Sequence, residues 1–225
     1  LLNGNAYNFD AQSPIPVGQW THVAVTLKGN VSTVYINGAV IGTGVVPVTP
    51  SQLGQTTQNW IGRSQYSADP YLNGIVDEFK IYYVALPIDL ILATLQAGNT
   101  YLPLDDASGT IAADYSGNGN NGTLVGNSSF VPGIKNTAVQ LINGKSAYVS
   151  LPSTIIANLS DFTVATWVYI NTQANYSRIF DFGYGTNQWV MLTPQNEKGL
   201  LKFETYWNGV GDYQVYGQAP LPLGQ

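Results

Sequence analysis

The 225-residue sequence contains no cysteine, a single histidine and a single methionine. Without cysteine there are no disulfides, thiolate metal sites or cysteine nucleophiles. Any Ser-His-Asp or histidine-rich metal scheme would have to run through His22 alone. Charge is scarce too, at 9% of residues, with 8 Lys+Arg against 13 Asp+Glu and a net charge of −5. So few basic residues supply no stripe for neutralising phosphates, which excludes nucleic acid and anionic membrane as partners. No apolar run approaches the roughly 18 residues of a membrane span. The opening Leu1-Leu2-Asn3-Gly4 resembles neither an initiator nor a signal peptide, so the chain reads as a piece of something longer.

Glycine (24), proline (12) and aromatic residues (12%) are plentiful, and 44% of the chain is hydrophobic. That is the profile of short strands joined by tight turns, with a length that suits one large β-sandwich better than two. Trp20-Thr-His-Val-Ala-Val-Thr-Leu-Lys28 alternates, placing Val23, Val25 and Leu27 on one face and Trp20, His22, Ala24 and Thr26 on the other. Asn37-Gly38 between two apolar runs marks a type I′ hairpin. Further strands are expected at 60–64, 74–83, 101–104, 138–142, 147–151, 161–170, 177–182, 188–193, 200–205 and 213–217. In the 161–170 strand, Phe162, Val164, Val168 and Ile170 face a core. Trp167 and Tyr169 face a concave surface on which a sugar chain is expected to lie.

The segment Tyr7-Asn-Phe-Asp-Ala-Gln12-Ser-Pro14-Ile-Pro16-Val-Gly18-Gln19 reappears as Tyr213-Gln-Val-Tyr-Gly-Gln218-Ala-Pro220-Leu-Pro222-Leu-Gly224-Gln225, identical at six of thirteen positions with an offset of 206. A period this long means whole domains in tandem. Residues 1–98 then form the C-terminal half of one unit and 99–225 the N-terminal half of the next. A short helix from Pro87 to Gln96 spans the boundary.

The motifs Leu104-Asp-Asp-Ala-Ser-Gly109, Asp114-Tyr-Ser-Gly-Asn-Gly-Asn-Asn-Gly122, Asp161-Phe-Thr-Val-Ala-Thr-Trp-Val168, Gly18-Gln-Trp-Thr-His-Val-Ala-Val25, Val34-Tyr-Ile-Asn-Gly38 and Gly74-Ile-Val-Asp-Glu-Phe-Lys-Ile-Tyr82 together resemble the laminin-G-like, concanavalin A-like jelly roll. The resemblance implies an all-β, two-sheet antiparallel sandwich. Its motif order departs from the family's, so the jelly roll is either circularly permuted, with 101–225 closing onto 1–86 in one molecule, or half-exchanged with a neighbouring copy. The family is frequently attached to bacterial glycosidases, so the resemblance implies a secreted or cell-surface, non-catalytic module recognising polysaccharide or oligosaccharide. The remaining alternatives are a structural or adhesive spacer and, third, a hydrolase.

For catalysis, His22 reads as a packed strand histidine, and the adjacent pairs Asp77-Glu78 and Asp105-Asp106 are expected to point to opposite faces. Glu78, Glu197 and Glu204 do not form the Glu-x-Asp-x-x-Glu pattern of related glucanases. The resemblance implies a structural calcium ion held by Asp77, Asp105 and Asp114, with Asx-turn chemistry as the alternative use of these acids. Sugar binding needs flat aromatic faces and planar polar groups, and Tyr176, Arg178, Tyr184, Trp189, Tyr206, Trp207 and Asn208 form a dense set of both. A second cluster, Trp60 to Gly74, contains Arg63, Tyr66, Asp69 and Tyr71 and reads as structural.

Overall fold

The computed structural model describes residues 15–46, 49–87, 90, 99–142, 146–207 and 211–216. Both copies of the duplicated segment fall largely outside these residues, as do most of the helix expected near 87–96 and Asn208.

Among the described residues the strands are β1 (Trp20–Lys28), β2 (Val31–Ile36), β3 (Ala39–Val45), β4 (Gln58–Ile61), β5 (Asn73–Tyr82), β6 (Thr100–Leu102), β7 (Ile111–Ala112), β8 (Gly122–Val125), β9 (Ser129–Pro132), β10 (Thr137–Leu141), β11 (Tyr148–Leu151), β12 (Phe162–Thr172), β13 (Phe180–Gly183), β14 (Gln188–Thr193), β15 (Lys202–Trp207) and β16 (Gly211–Tyr216). One sheet runs β3-β2-β1-β12-β5-β10-β9, with β6 also on β5; the other runs β16-β15-β14-β13-β4-β11-β8-β7. Every pairing between these strands is antiparallel, as in the expected sandwich. The two halves interleave within the one chain: β12 lies between β1 and β5, and β4 between β13 and β11.

Alternation determines what each strand buries. Val23, Val25 and Leu27 are in the core, as are Phe162, Val164, Val168 and Ile170. Phe79 on the first sheet meets Phe180 on the second edge-on at 6.4 Å, and Phe162 meets Phe203 at 6.2 Å, so phenylalanines bridge the two layers. Asn37 and Gly38 both take positive φ, 46° and 82°, as the type I′ turn requires. On the outer face of the first sheet Trp20 packs on Tyr169 and His22 on Trp167. His22 is buried, and burial, then the nearby Lys80 ammonium, pull its pKa down to about 4. This is the packed histidine that the strand pattern predicts.

Strand β5 departs from alternation. Glu78 has φ 52° where the register with β12 shifts between Ala165 and Trp167, which makes it a bulge residue. Val76 and Phe79 both lie in the core, so Asp77 and Glu78 share the outer side instead of facing opposite ways. Both converge on Lys135. Asp77 Oδ2 accepts its N–H at 3.2 Å, and Glu78 Oε1 lies 3.4 Å from its Nζ.

Candidate functional site

The outer face of the second sheet carries the cleft. Ser150, Trp60, Asp181, Met191, Glu204 and Gln214 are successive cross-strand partners along one row. Gln58, Gly183, Trp189 and Tyr206 make a parallel row two residues along. Inward residues between and beside these rows, Phe180, Phe182, Val190, Leu192 and Phe203, fill the core. Outward-facing polar groups would normally meet water, yet Asp181 and Glu204 are buried, because three loops roof part of this face.

The loop between β4 and β5 is closed at its base by the Leu72 N–H donating to Gly62 O at 2.9 Å. Within it Ser64 Oγ donates to Asp69 Oδ2 at 2.6 Å, and the Tyr66 N–H donates to Ser64 Oγ at 3.1 Å. The turn before β13 is stitched to the turn after β14 by the Tyr176 N–H on Gln195 O and by the Tyr176 hydroxyl donating to Glu197 Oε2 at 3.1 Å. The buried Arg178 guanidinium joins these loops to the sheet. It pairs with Asp69 Oδ2 at 3.2 Å and Asp181 Oδ2 at 3.5 Å, and donates to the Tyr176 carbonyl. Asp181 Oδ2 also accepts the Gln65 N–H at 3.0 Å.

The resulting cleft has a volume of about 470 Å³ and is walled by Tyr66, Tyr176, Trp189 and Tyr206, with Asp69, Glu197, Glu204, Arg178, Lys202 and Gln214 as its polar groups. Trp189 is an anchor under this surface. It is 5% exposed, stacked on Tyr206 at 4.2 Å with 18° between planes and met edge-on by Tyr66 at 5.4 Å, while its indole N–H donates to Glu204 Oε1 at 2.8 Å. The Lys202 ammonium pairs with Glu204 Oε2. Tyr66 and Tyr176 offer open rings, at 40% and 37% exposure.

Burial pushes the Asp181 carboxyl up to about 7, against the pull of the Arg178 guanidinium and the Gln65 N–H. Burial and the Glu204 carboxylate also raise the Tyr66 phenol. Burial and the hydrogen bond to Glu197 raise that of Tyr176. Glu197 is held below its ordinary value, chiefly by its own backbone N–H and, against burial, by the Tyr176 hydroxyl.

Of the seven residues expected to bind sugar, Tyr176, Arg178, Trp189 and Tyr206 meet in this cleft. Tyr184 lines a separate pocket. Trp207 packs against the core on the opposite face of β15, as its adjacency to Tyr206 in a strand requires. Asn208 lies outside the described residues. Trp167 and Tyr169 belong to the other sheet, so the aromatic face expected to receive a sugar chain is not the face of the cleft. The Trp60–Gly74 cluster splits. Arg63 is stacked on Trp60 at 4.1 Å and on Tyr148 at 4.8 Å, which is packing, whereas Tyr66 and Asp69 join the cleft. Lys202, Glu204 and Tyr206 share one face of β15 by parity, the signal that marks them in the sequence.

The acids expected to hold calcium are not brought together; among the described residues no three Asp, Glu or His side chains form a cation site. Asp114 is the centre of an Asx-type turn, accepting the N–H groups of Tyr101, Ser116 and Asn120 at 2.8–3.0 Å. Burial opposes its charge, but these donors outweigh it and hold the carboxyl below its ordinary value. Asp105 accepts from Asn136 Nδ2 and the Thr137 N–H. Asp77 accepts from the Ile134 and Lys135 N–H groups; its burial, offset in part by these bonds, raises its carboxyl to about 6. Donor hydrogens occupy both oxygens of Asp105 and of Asp114, whereas Asp77 Oδ1 has no hydrogen-bond partner among the described residues. A hard cation needs several free oxygens, so the bonding of Asp105 and Asp114 favours turn chemistry over calcium. Adding EDTA is expected to leave the melting temperature unchanged in a thermal melt, and a fall of several degrees would contradict this.

A laminin-G-type family model, described as the concanavalin A-like lectin/glucanases superfamily, matches residues 2–91 and 143–225. No curated protein matches the chain, and no solved structure does.

Proposed function

From the premise that the chain belongs to the concanavalin A-like lectin/glucanase superfamily, we propose that it is a non-catalytic carbohydrate-binding module, an accessory of a secreted or cell-surface bacterial enzyme that degrades polysaccharide. In such a setting tandem copies add avidity. The observation that carries this reading is the cleft itself, with open tyrosine rings around fixed carboxylate, ammonium and carboxamide groups. Rings of this kind stack on the C–H faces of sugars, and the polar groups meet their hydroxyls.

A hydrolase reading draws on Asp181 and Glu204, which share one face two strands apart, about 10 Å between backbones. A glycosidase acid must reach the glycosidic oxygen. Asp181 is 1% exposed beneath Gln65, and Glu204 is taken up by Trp189 and Lys202, so binding is favoured over cleavage. The test is native gel electrophoresis through barley β-glucan, laminarin, xylan, galactomannan and alginate. At least one polymer is expected to retard the protein, with Tyr66→Ala weakening the interaction about tenfold or more, equivalent to about 1.4 kcal/mol, and leaving folding intact. Sugar release that disappears in Glu204→Gln would replace this reading with the hydrolase.

A further inference from the structure

We infer that the ligand is a linear, uncharged glycan gripped along its length by two subsites, the cleft and a second pocket beside Tyr184. This rests on the cleft being a glycan site. The second pocket, about 440 Å³, is lined by Thr57, Gln58, Tyr184, Gly185, Thr186 and Asn187. None of these side chains is charged. They supply two hydroxyls, two carboxamides and a tyrosine ring that is 52% exposed, the donor-acceptor and stacking set that a neutral sugar uses.

The pocket is held rigid. The Tyr184 N–H donates to Gln188 O at 2.9 Å, the Gly185 N–H to Gln58 Oε1 at 3.0 Å, and Gln188 Nε2 to Leu53 O at 3.0 Å. With Gln58 Oε1 engaged in this way, its NH₂ remains as the donor on that wall.

The two pockets are in line. Gln58, Gly183, Trp189 and Tyr206 are consecutive partners across the sheet, so three strand spacings, about 14 Å, separate Gln58 from Tyr206. That is the reach of a short oligosaccharide, not of one sugar. The ground between them is the Gln65 carboxamide. It donates to Gln58 O at 2.8 Å and lies over Gly183, where a Cβ would sit 3.1 Å from Gln65 Cδ. Gln65 Oε1 is buried and has no hydrogen-bond partner among the described residues, an unspent acceptor between the two pockets. A chain crossing here lies mid-polymer. Charge decides its class: the carboxylates Asp69, Glu197 and Glu204 outnumber Arg178 and Lys202 in the cleft, which repels uronates and sulfates.

The experiment compares wild type, Tyr184→Ala and Tyr66→Ala on the same polysaccharide panel, and on disaccharides and hexasaccharides cut from whichever polymer retards the wild type. Tyr184 is half exposed, so its loss leaves the fold intact. Tyr184→Ala is expected to bind polymer and hexasaccharide about tenfold more weakly and the disaccharide as wild type does. Wild-type affinity of Tyr184→Ala for the polymer, with Tyr66→Ala weakened, overturns the second subsite and leaves the cleft reading standing. Retardation by alginate above the neutral polymers overturns the uncharged class. No retardation by any polymer overturns both the inference and the reading beneath it.

Discussion

Replacing Arg178 with methionine is expected to cost about 3–5 kcal/mol of unfolding free energy near pH 8 and distinctly less near pH 5. The guanidinium is buried between Asp69 and Asp181, so its removal strands a carboxylate with no water to take its place. The pH dependence follows from Asp181. Its folded pKa, about 7, stands above its ordinary 3.8, so the folded state holds an extra proton between about pH 4 and 7. That contribution favours folding at low pH and is lost as pH rises through 7. Near pH 5 Asp181 is neutral with or without Arg178, and only the Asp69 pairing is forfeited. Denaturant unfolding at the two pH values measures the difference. Equal losses at both would show that Arg178 does not act through Asp181. In Asp181→Asn the decline in stability between pH 4 and 7 becomes shallower, which isolates the same group.

The second large effect is at Trp189. Trp189→Ala removes a buried ring stacked on Tyr206 and takes from Glu204 its indole donor, at an expected cost of about 3–5 kcal/mol, and it abolishes glycan binding by releasing Tyr206. Tyr66→Ala, at an exposed ring, is expected to lose binding with little change in melting temperature. Thermal melts run beside the affinity gels separate the two. Equal destabilisation by both variants would mean that Tyr66 is packing rather than contact surface.

Period-two patterning made most of the sandwich legible. The 188–193 strand stands where alternation put it, and β1 and β12 bury the side chains their parity selects. The strands with no expectation, β7, β8 and β9, are two to four residues long among glycines and asparagines, too short for a period to show. The bulge at Glu78 was also hidden, since nothing in Val-Asp-Glu-Phe marks an unpaired residue. The cleft was half legible. The aromatic density of 176–207 located it, but neighbouring Tyr206 and Trp207 had to be split by parity. Tyr66 and Asp69 arrive from a loop over a hundred residues earlier, a juxtaposition that only the pairing of β4 with β13 creates. The calcium expectation came from resemblance, whereas the positions of Asp77, Asp105 and Asp114 are decided by which N–H groups surround them.

The most direct test that the cleft of the second sheet is the glycan site uses the five tryptophans as reporters. The indole N–H resonances of ¹⁵N-tryptophan-labelled protein are followed by NMR during titration with oligosaccharide from the retarding polymer. The account predicts that the Trp189 signal shifts while those of Trp20 and Trp167, on the outer face of the first sheet, stay in place. Shifts at Trp20 or Trp167 with Trp189 unmoved would contradict it.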